Sequence, residues 1–134
     1  MYSGQPLGFG NIFFNGDPTK IQLPSGQRSI YEWFNVNAGF VRAPSAQPLY
    51  NLQTGPLYYA GLRAPIYNNW DAGLIKDTVI RESAKLQFRA EAFNVFNHPS
   101  FAAPSTVVTS QAFGTITAEN SNPRQLQLAL RFTW

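Results

Sequence analysis

With 134 residues, 15% of them aromatic and only 13% charged, the chain has the length of one domain but about half the charge of an average soluble one. Ten Gly and ten Pro beside 44% hydrophobic residues argue against a disordered tail, and the net charge of +3 comes from singly scattered side chains with no basic cluster to follow a phosphate backbone, which sets nucleic acid aside. The absence of Cys removes disulfides, thiolate zinc sites and thiol nucleophiles, and no apolar run reaches the ~18 residues of a membrane-spanning helix.

The segment after Met1 (Tyr2, Ser3, Gly4, Gln5, Pro6) has neither the basic n-region nor the apolar h-region of a secretory leader. The expectation is that the chain stays in the cytoplasm or that its real start lies upstream. Residues 1–68 carry Gly, Pro and Asn at short intervals and no sustained 3.6-residue period, which predicts loops and short strands. The first apolar piece, 9–14, ends in the turn-forming set Asn15, Gly16, Asp17 and Pro18. Between Pro18 and Pro65 only fragments stand out, such as 31–34 and 57–62. So long an irregular stretch is unusual inside a compact domain.

From Trp70 the side chains alternate. Trp70, Ala72 and Leu74 take one side while Asp71, Gly73, Ile75 and Asp77 take the other, followed by a connector at 78–82. A second strand places Ala84, Leu86, Phe88, Ala90 and Ala92 opposite Lys85, Gln87, Arg89 and Glu91, and loses its pattern at 93–96. A polar connection, 97–124, holds a short segment at 113–117 readable as a strand extension. The last strand, 125–134, places Leu126, Leu128, Leu130, Phe132 and Trp134 on one face and Gln125, Gln127, Ala129, Arg131 and Thr133 on the other.

Either the interior of a soluble antiparallel sandwich or the lipid around a transmembrane barrel accepts such strands. Lipid is favoured by four features. The strands reach the roughly 9 to 11 residues that cross a bilayer at a ~45° tilt. Aromatics (Trp70, Phe93, Phe96, Phe132, Trp134) stand at strand ends. A short turn alternates with long connections, as periplasmic turns alternate with external loops. The last residue is an aromatic in phase with the apolar face.

The fold class is therefore all-β: an antiparallel transmembrane β-barrel segment with long irregular external loops. Residues 1–68 are read as a strand plus a long external loop, and 69–134 as the terminal strands. Only four or five strands can be counted, whereas even small closed barrels have about eight, so an incomplete barrel is expected, with Met1 not a true start.

The runs Asn69, Trp70, Asp71, Ala72, Gly73, Leu74, Ile75, Lys76 and Leu86, Gln87, Phe88, Arg89, Ala90, Glu91, Ala92, Phe93, Asn94, Val95, Phe96, Asn97, His98, Pro99 carry a resemblance. Together with Phe113, Gly114, Thr115, Ile116, Thr117 and the lead Pro123, Arg124, Gln125, they resemble the C-terminus of Oar-like TonB-dependent outer-membrane transporters of the acidobacterial type, which often carry a carboxypeptidase-regulatory-like domain. Upstream, Gly16, Asp17, Pro18, Leu23, Pro24, Ser25, Gly26, Gln27, Arg28, Trp33, Phe34 and Asn35 are similar to an outer loop of that family. The sequence departs from it at Trp134, where Phe is usual, and at 77–80, where an aromatic is more frequent.

The resemblance implies a piece of an energy-coupled importer in the outer membrane of a Gram-negative bacterium, with its signal sequence, coupling box and plug domain outside this sequence. The implied partners are outer-membrane lipid, the barrel-assembly machinery through the C-terminal strand, and TonB only through the missing N-terminal regions. The competing reading is an exported soluble β-sandwich that binds carbohydrate or protein through Tyr58, Tyr59 and Trp70.

Leu86, Phe88, Ala90, Leu126, Leu128 and Leu130 are expected to face lipid. Phe132 and Trp134 form the assembly signal, and Asp71, Lys85, Gln87, Arg89, Glu91, Gln127 and Arg131 face the lumen. Avoidance of like charge across the pair 69–77 and 84–92 favours a register whose paired numbers sum to 160, with Asp71 opposite Arg89 and Asp77 beside Ser83, over the sum of 162 that sets Asp71 against Glu91. No catalytic, metal or cofactor site is expected: His98, the one histidine, sits in a turn-like stretch, the carboxylates are dispersed, and no serine has a nucleophile-elbow context.

Overall fold

The computed structural model describes residues 4–48 and 55–134, with the side chain of Ala60 left out. Tyr2 and Ser3, read for a leader, and residues 49–54 of the irregular stretch lie outside the described residues. Among the described residues five strands form two antiparallel sheets: β1 (Pro6–Gly8) pairs with β2 (Tyr58–Arg63), and β3 (Ala72–Arg81), β4 (Ala84–Phe93) and β5 (Gln125–Thr133) follow in that order. The helical content of the described residues is three single 3-10 turns, at Pro18–Lys20, Ser25–Gln27 and Pro44–Ala46.

Two compact units divide the chain. One comprises Met1–Tyr67 and Phe101–Glu119, the other Asn68–Ser100 and Asn120–Trp134. Residues 101–119, inside the connection read as polar, therefore join the first unit.

The first unit has little regular structure and a dense aromatic core. Leu7, Phe9, Ile21, Phe34, Phe40, Tyr59, Leu62, Val108 and Phe113 are buried together. Phe9 meets Phe34, Phe40 and Tyr59 at ring-centroid distances of 5.7, 5.3 and 5.4 Å, the spacing at which edge and offset ring contacts add to burial. Burial pushes the Tyr59 phenol up from its ordinary value. In the turn-forming set Asn15–Pro18 the chain bends at Gly16 and enters the 3-10 turn Pro18–Lys20: Asp17 accepts from the Thr19 hydroxyl and then from its backbone N–H, and these two bonds hold its carboxyl below the usual carboxylate range. Gly16 and Gly39 touch backbone to backbone, so that a Cβ on Gly16 would lie 1.6 Å from the Ala38 carbonyl oxygen.

Three expectations for this unit change. The first apolar piece, 9–14, contributes no strand: the first strand is Pro6–Gly8, Phe9 turns into the core and Phe14 joins only an isolated bridge to Phe40. The fragment 31–34 forms no strand; its contribution is Phe34, fully buried. The segment 113–117 extends no strand, and Phe113 packs in the core beside Phe34 and Phe40.

The second unit is the reverse case, a long regular sheet with almost no interior. Its hairpin register differs from both sums considered above: partners sum to 164, from Ala72 with Ala92 to Thr78 with Leu86. The cause is the turn. The stretch 78–82 is no connector, since β3 continues to Arg81 and only Glu82 and Ser83 turn, with an irregularity between Val79 and Arg81. Hairpin loop length fixes register. This register puts Gly73 opposite Glu91, Ile75 opposite Arg89 and Asp77 opposite Gln87, so like charges are avoided without Asp71 entering the ladder.

Candidate functional site

The three-stranded sheet presents two chemically distinct faces. Across β4 and β5 the even-numbered pairs are Leu86 with Phe132, Phe88 with Leu130, Ala90 with Leu128 and Ala92 with Leu126. Large side chains stand against small ones at the alanine rows, where Leu74, Leu126 and Leu128 wall an apolar trough of ≈ 300 Å³. Leu126, Leu128 and Leu130 are 73%, 72% and 68% exposed, so no second layer of the described chain covers them. A soluble sandwich requires such a layer. Tyr59, a stacking contact in that competing reading, is buried in the aromatic core.

The odd-numbered face is polar. Lys85, Gln87, Arg89 and Glu91 of β4 lie opposite Thr133, Arg131, Ala129 and Gln127 of β5. Arg89 and Glu91, two apart on one face, form the single ion pair among the described residues, and Gln87 Nε2 donates to Asp77 Oδ1 at 2.8 Å. The residues assigned to each side of β4 and β5 thus fall on common faces of one sheet. β3 is mixed: Lys76 lies on the leucine face opposite Phe88, while Ile75 and Val79 lie on the polar face.

Aromatic contacts stand at both ends of the sheet. Trp70 and Phe96 meet edge to face at 6.3 Å before β3 and after β4, and Phe132 stacks on Trp134 at 5.7 Å at the hairpin end. Phe93 shares the odd face with Gln125.

Asp71 precedes β3 and belongs to a polar clasp that sequence reasoning missed. Its Oδ1 accepts from the backbone N–H of Asn94 at 2.9 Å and from Asn69 Nδ2 at 3.1 Å. Asn94 is buried with φ +50, a left-handed conformation that Asn tolerates better than most residues. Its amide nitrogen donates to the carbonyls of Asn122 at 2.9 Å and His98 at 3.3 Å, and its Oδ1 accepts from His98 N–H at 2.9 Å. Asn97, also at φ +50, accepts at Oδ1 from the Arg124 backbone N–H at 3.0 Å. Ser100 and Ser121 add a further tie between the two segments at 2.8 Å. The signal was two asparagines three apart before His98 and Pro99, the residue types that take positive φ at a chain reversal.

Among the described residues no group of three or more His, Asp or Glu side chains is placed to hold a metal ion, and no helix is long and apolar enough to cross a membrane.

Long antiparallel strands, one face apolar and uncovered, the other polar, and ring pairs at both ends are the anatomy of an outer-membrane barrel wall. Residues 3–127 match the family model described as outer membrane beta barrel domain. The match spans nearly all of the 134 residues, and the chain belongs to that family: an outer-membrane β-barrel protein. The comparisons with curated proteins and with solved structures gave no match.

Proposed function

We propose that the chain forms part of the barrel wall of an Oar-like TonB-dependent transporter in a Gram-negative outer membrane, at the C-terminal strands to which its sequence is similar. It acts in energy-coupled import and carries out no catalysis. The observation that carries the membrane orientation is the unbroken alternation along β5, with exposed leucines on one face and Gln127 and Arg131 on the other. At ~3.3 Å per residue and a ~40° tilt, nine residues rise roughly 23 Å, close to the ~25 Å apolar band of such barrels.

On this reading Leu86, Phe88, Ala90, Leu126, Leu128 and Leu130 touch acyl chains, and Lys85, Gln87, Arg89, Glu91, Gln127 and Arg131 look into the lumen, as does the Asp71 end of the sheet. The two-residue turn at Glu82 and Ser83 lies on the periplasmic side, where turns are short. Phe132 and Trp134 supply the aromatic signal read by the barrel-assembly machinery. TonB is engaged only through regions outside this sequence.

The sequence contains no Cys, so single cysteines report without background. In the membrane-inserted protein, a fluorophore on Gln127→Cys is expected to be reached by a water-soluble quencher and one on Leu128→Cys by brominated lipid. The opposite pattern, or equal quenching of both, rejects the orientation. Photo-crosslinking from position 134 in cells is expected to capture the assembly machinery. For the import step, proton-gradient collapse in cells carrying the longer protein is expected to stop uptake; uptake that continues rejects energy coupling.

A further inference from the structure

The first unit contains a cavity of ≈ 500 Å³ between residues of the 22–33 segment and the end of β2 with the residues that follow it. That volume falls in the range of small-molecule sites. Its walls include Gln22, Arg28, Trp33, Arg63, Pro65 and Ile66, and among the described residues no carboxylate lines it.

Both arginines are held in place by the backbone. Arg28 Nε donates to the Leu23 carbonyl at 2.8 Å, and its guanidinium lies 5.9 Å from the centre of the Trp33 ring. Arg63 donates one N–H to the Gly4 carbonyl at 3.1 Å, and the Trp33 indole N–H donates to the Arg63 carbonyl at 2.7 Å. A guanidinium has five N–H donors, and the remainder on both arginines meet no acceptor among the described residues. Neither arginine has an ion-pair partner there.

Gln22 lies close against Gly61, whose φ is +76 and where a Cβ would fall 2.4 Å from Gln22 Oε1. Two anchored cations on one cavity, with free forked donors and no counter-ion, match an oxyanion, which guanidinium binds in bidentate fashion. Trp33, Pro65 and Ile66 give the rest of the wall an apolar character suited to a flat ring.

We propose that this cavity binds a small organic carboxylate carried on an apolar or aromatic ring, with the carboxylate between Arg28 and Arg63 and the ring against the Trp33 side. The proposal is independent of the transport reading.

Trp33 is its own reporter, because its indole N–H bonds to Arg63. In an ¹⁵N-labelled full chain in detergent micelles, benzoate is expected to move the Trp33 indole resonance saturably, with a Kd roughly in the millimolar range, while benzamide, of the same shape without the charge, binds at least about tenfold more weakly. The Trp70 and Trp134 indole resonances are expected to stay in place. Arg63→Gln and Arg28→Gln are each expected to abolish saturation while the ring-shifted signals of the aromatic core persist.

A Trp33 resonance unmoved at about 20 mM benzoate, or benzamide acting as strongly as benzoate, overturns the proposal. So does retained binding in both variants. If either variant loses the core signals, the benzoate-to-benzamide ratio on the unaltered chain decides.

Discussion

The two units use apolar side chains in opposite ways. In the first, rings from distant positions (Phe9, Phe34, Phe40, Phe113) converge on a common interior although the backbone between them is mostly irregular. In the second, β3, β4 and β5 form regular ladders while Leu74, Leu126, Leu128 and Leu130 stay exposed, and Ala84 is the one buried apolar residue among those described. Hydrophobic content therefore does not by itself imply self-burial. The first unit packs Phe9, Phe34, Phe40, Tyr59 and Phe113 among its own residues and away from water, whereas the second offers its apolar surface to something outside itself, which for an outer-membrane barrel is the hydrocarbon.

The sharpest way to break this contrast is Phe9→Ala. The ring touches Phe34, Phe40, Tyr59 and Phe113, and its removal should cost about 3–5 kcal/mol. Hydrogen exchange is expected to quicken at backbone-bonded amides of the first unit, such as Asn35 and Gly114, but not within β4. Equal acceleration in β4 would mean that one interior stabilises both.

Next comes Leu128→Arg. It should destabilise the membrane-inserted barrel by about 2–4 kcal/mol near the midplane, against well under 1 kcal/mol for Gln127→Arg, as read by denaturant unfolding from liposomes. A similar cost for the two would erase the distinction between the faces.

Asn94→Ala is expected to cost about 2–3 kcal/mol through lost amide bonds and strain at φ +50. Asn94→Gly should be milder by about 1 kcal/mol, since glycine accepts that φ. Equal penalties would show that the conformation carries no strain.

The smallest effect has the opposite sign. Lys76 stands on the leucine face, and Lys76→Leu should stabilise the inserted barrel by about 1–2 kcal/mol, less than a full midplane penalty because the lysine stem reaches toward the interface. Destabilisation would place that part of β3 in an aqueous setting.

β4 and β5 were legible because period-two alternation is a local property: the reading 125–134 and the observed Gln125–Thr133 differ by one residue. β3 was legible only as far as Asp77, where Asp77 and Thr78 interrupt the alternation, and that truncation displaced the register. The first unit was not legible. Its core joins Phe9 to Phe113 across about a hundred positions through turns rather than periodic elements, and no local pattern announces such convergence. The two faces of the candidate site followed from alternation alone. The Asn94 clasp did not, because it depends on backbone conformation and on partners as distant as Asn122, although Asp71, Asn94 and Asn97 belong to the stretches that carry the family resemblance.

That clasp bears on a choice the strand itself leaves open. The run Gln125, Leu126, Gln127, Leu128, Ala129, Leu130 nearly repeats itself when displaced by two positions, so sliding β5 along β4 would keep every leucine on its side and side-chain preference would discriminate weakly. The bonds from Asn94 to Asn122 and from Arg124 to Asn97 permit no such slide. Alignment of this degenerate strand is thus dictated from its entry point, as the first tooth of a zip determines which teeth meet.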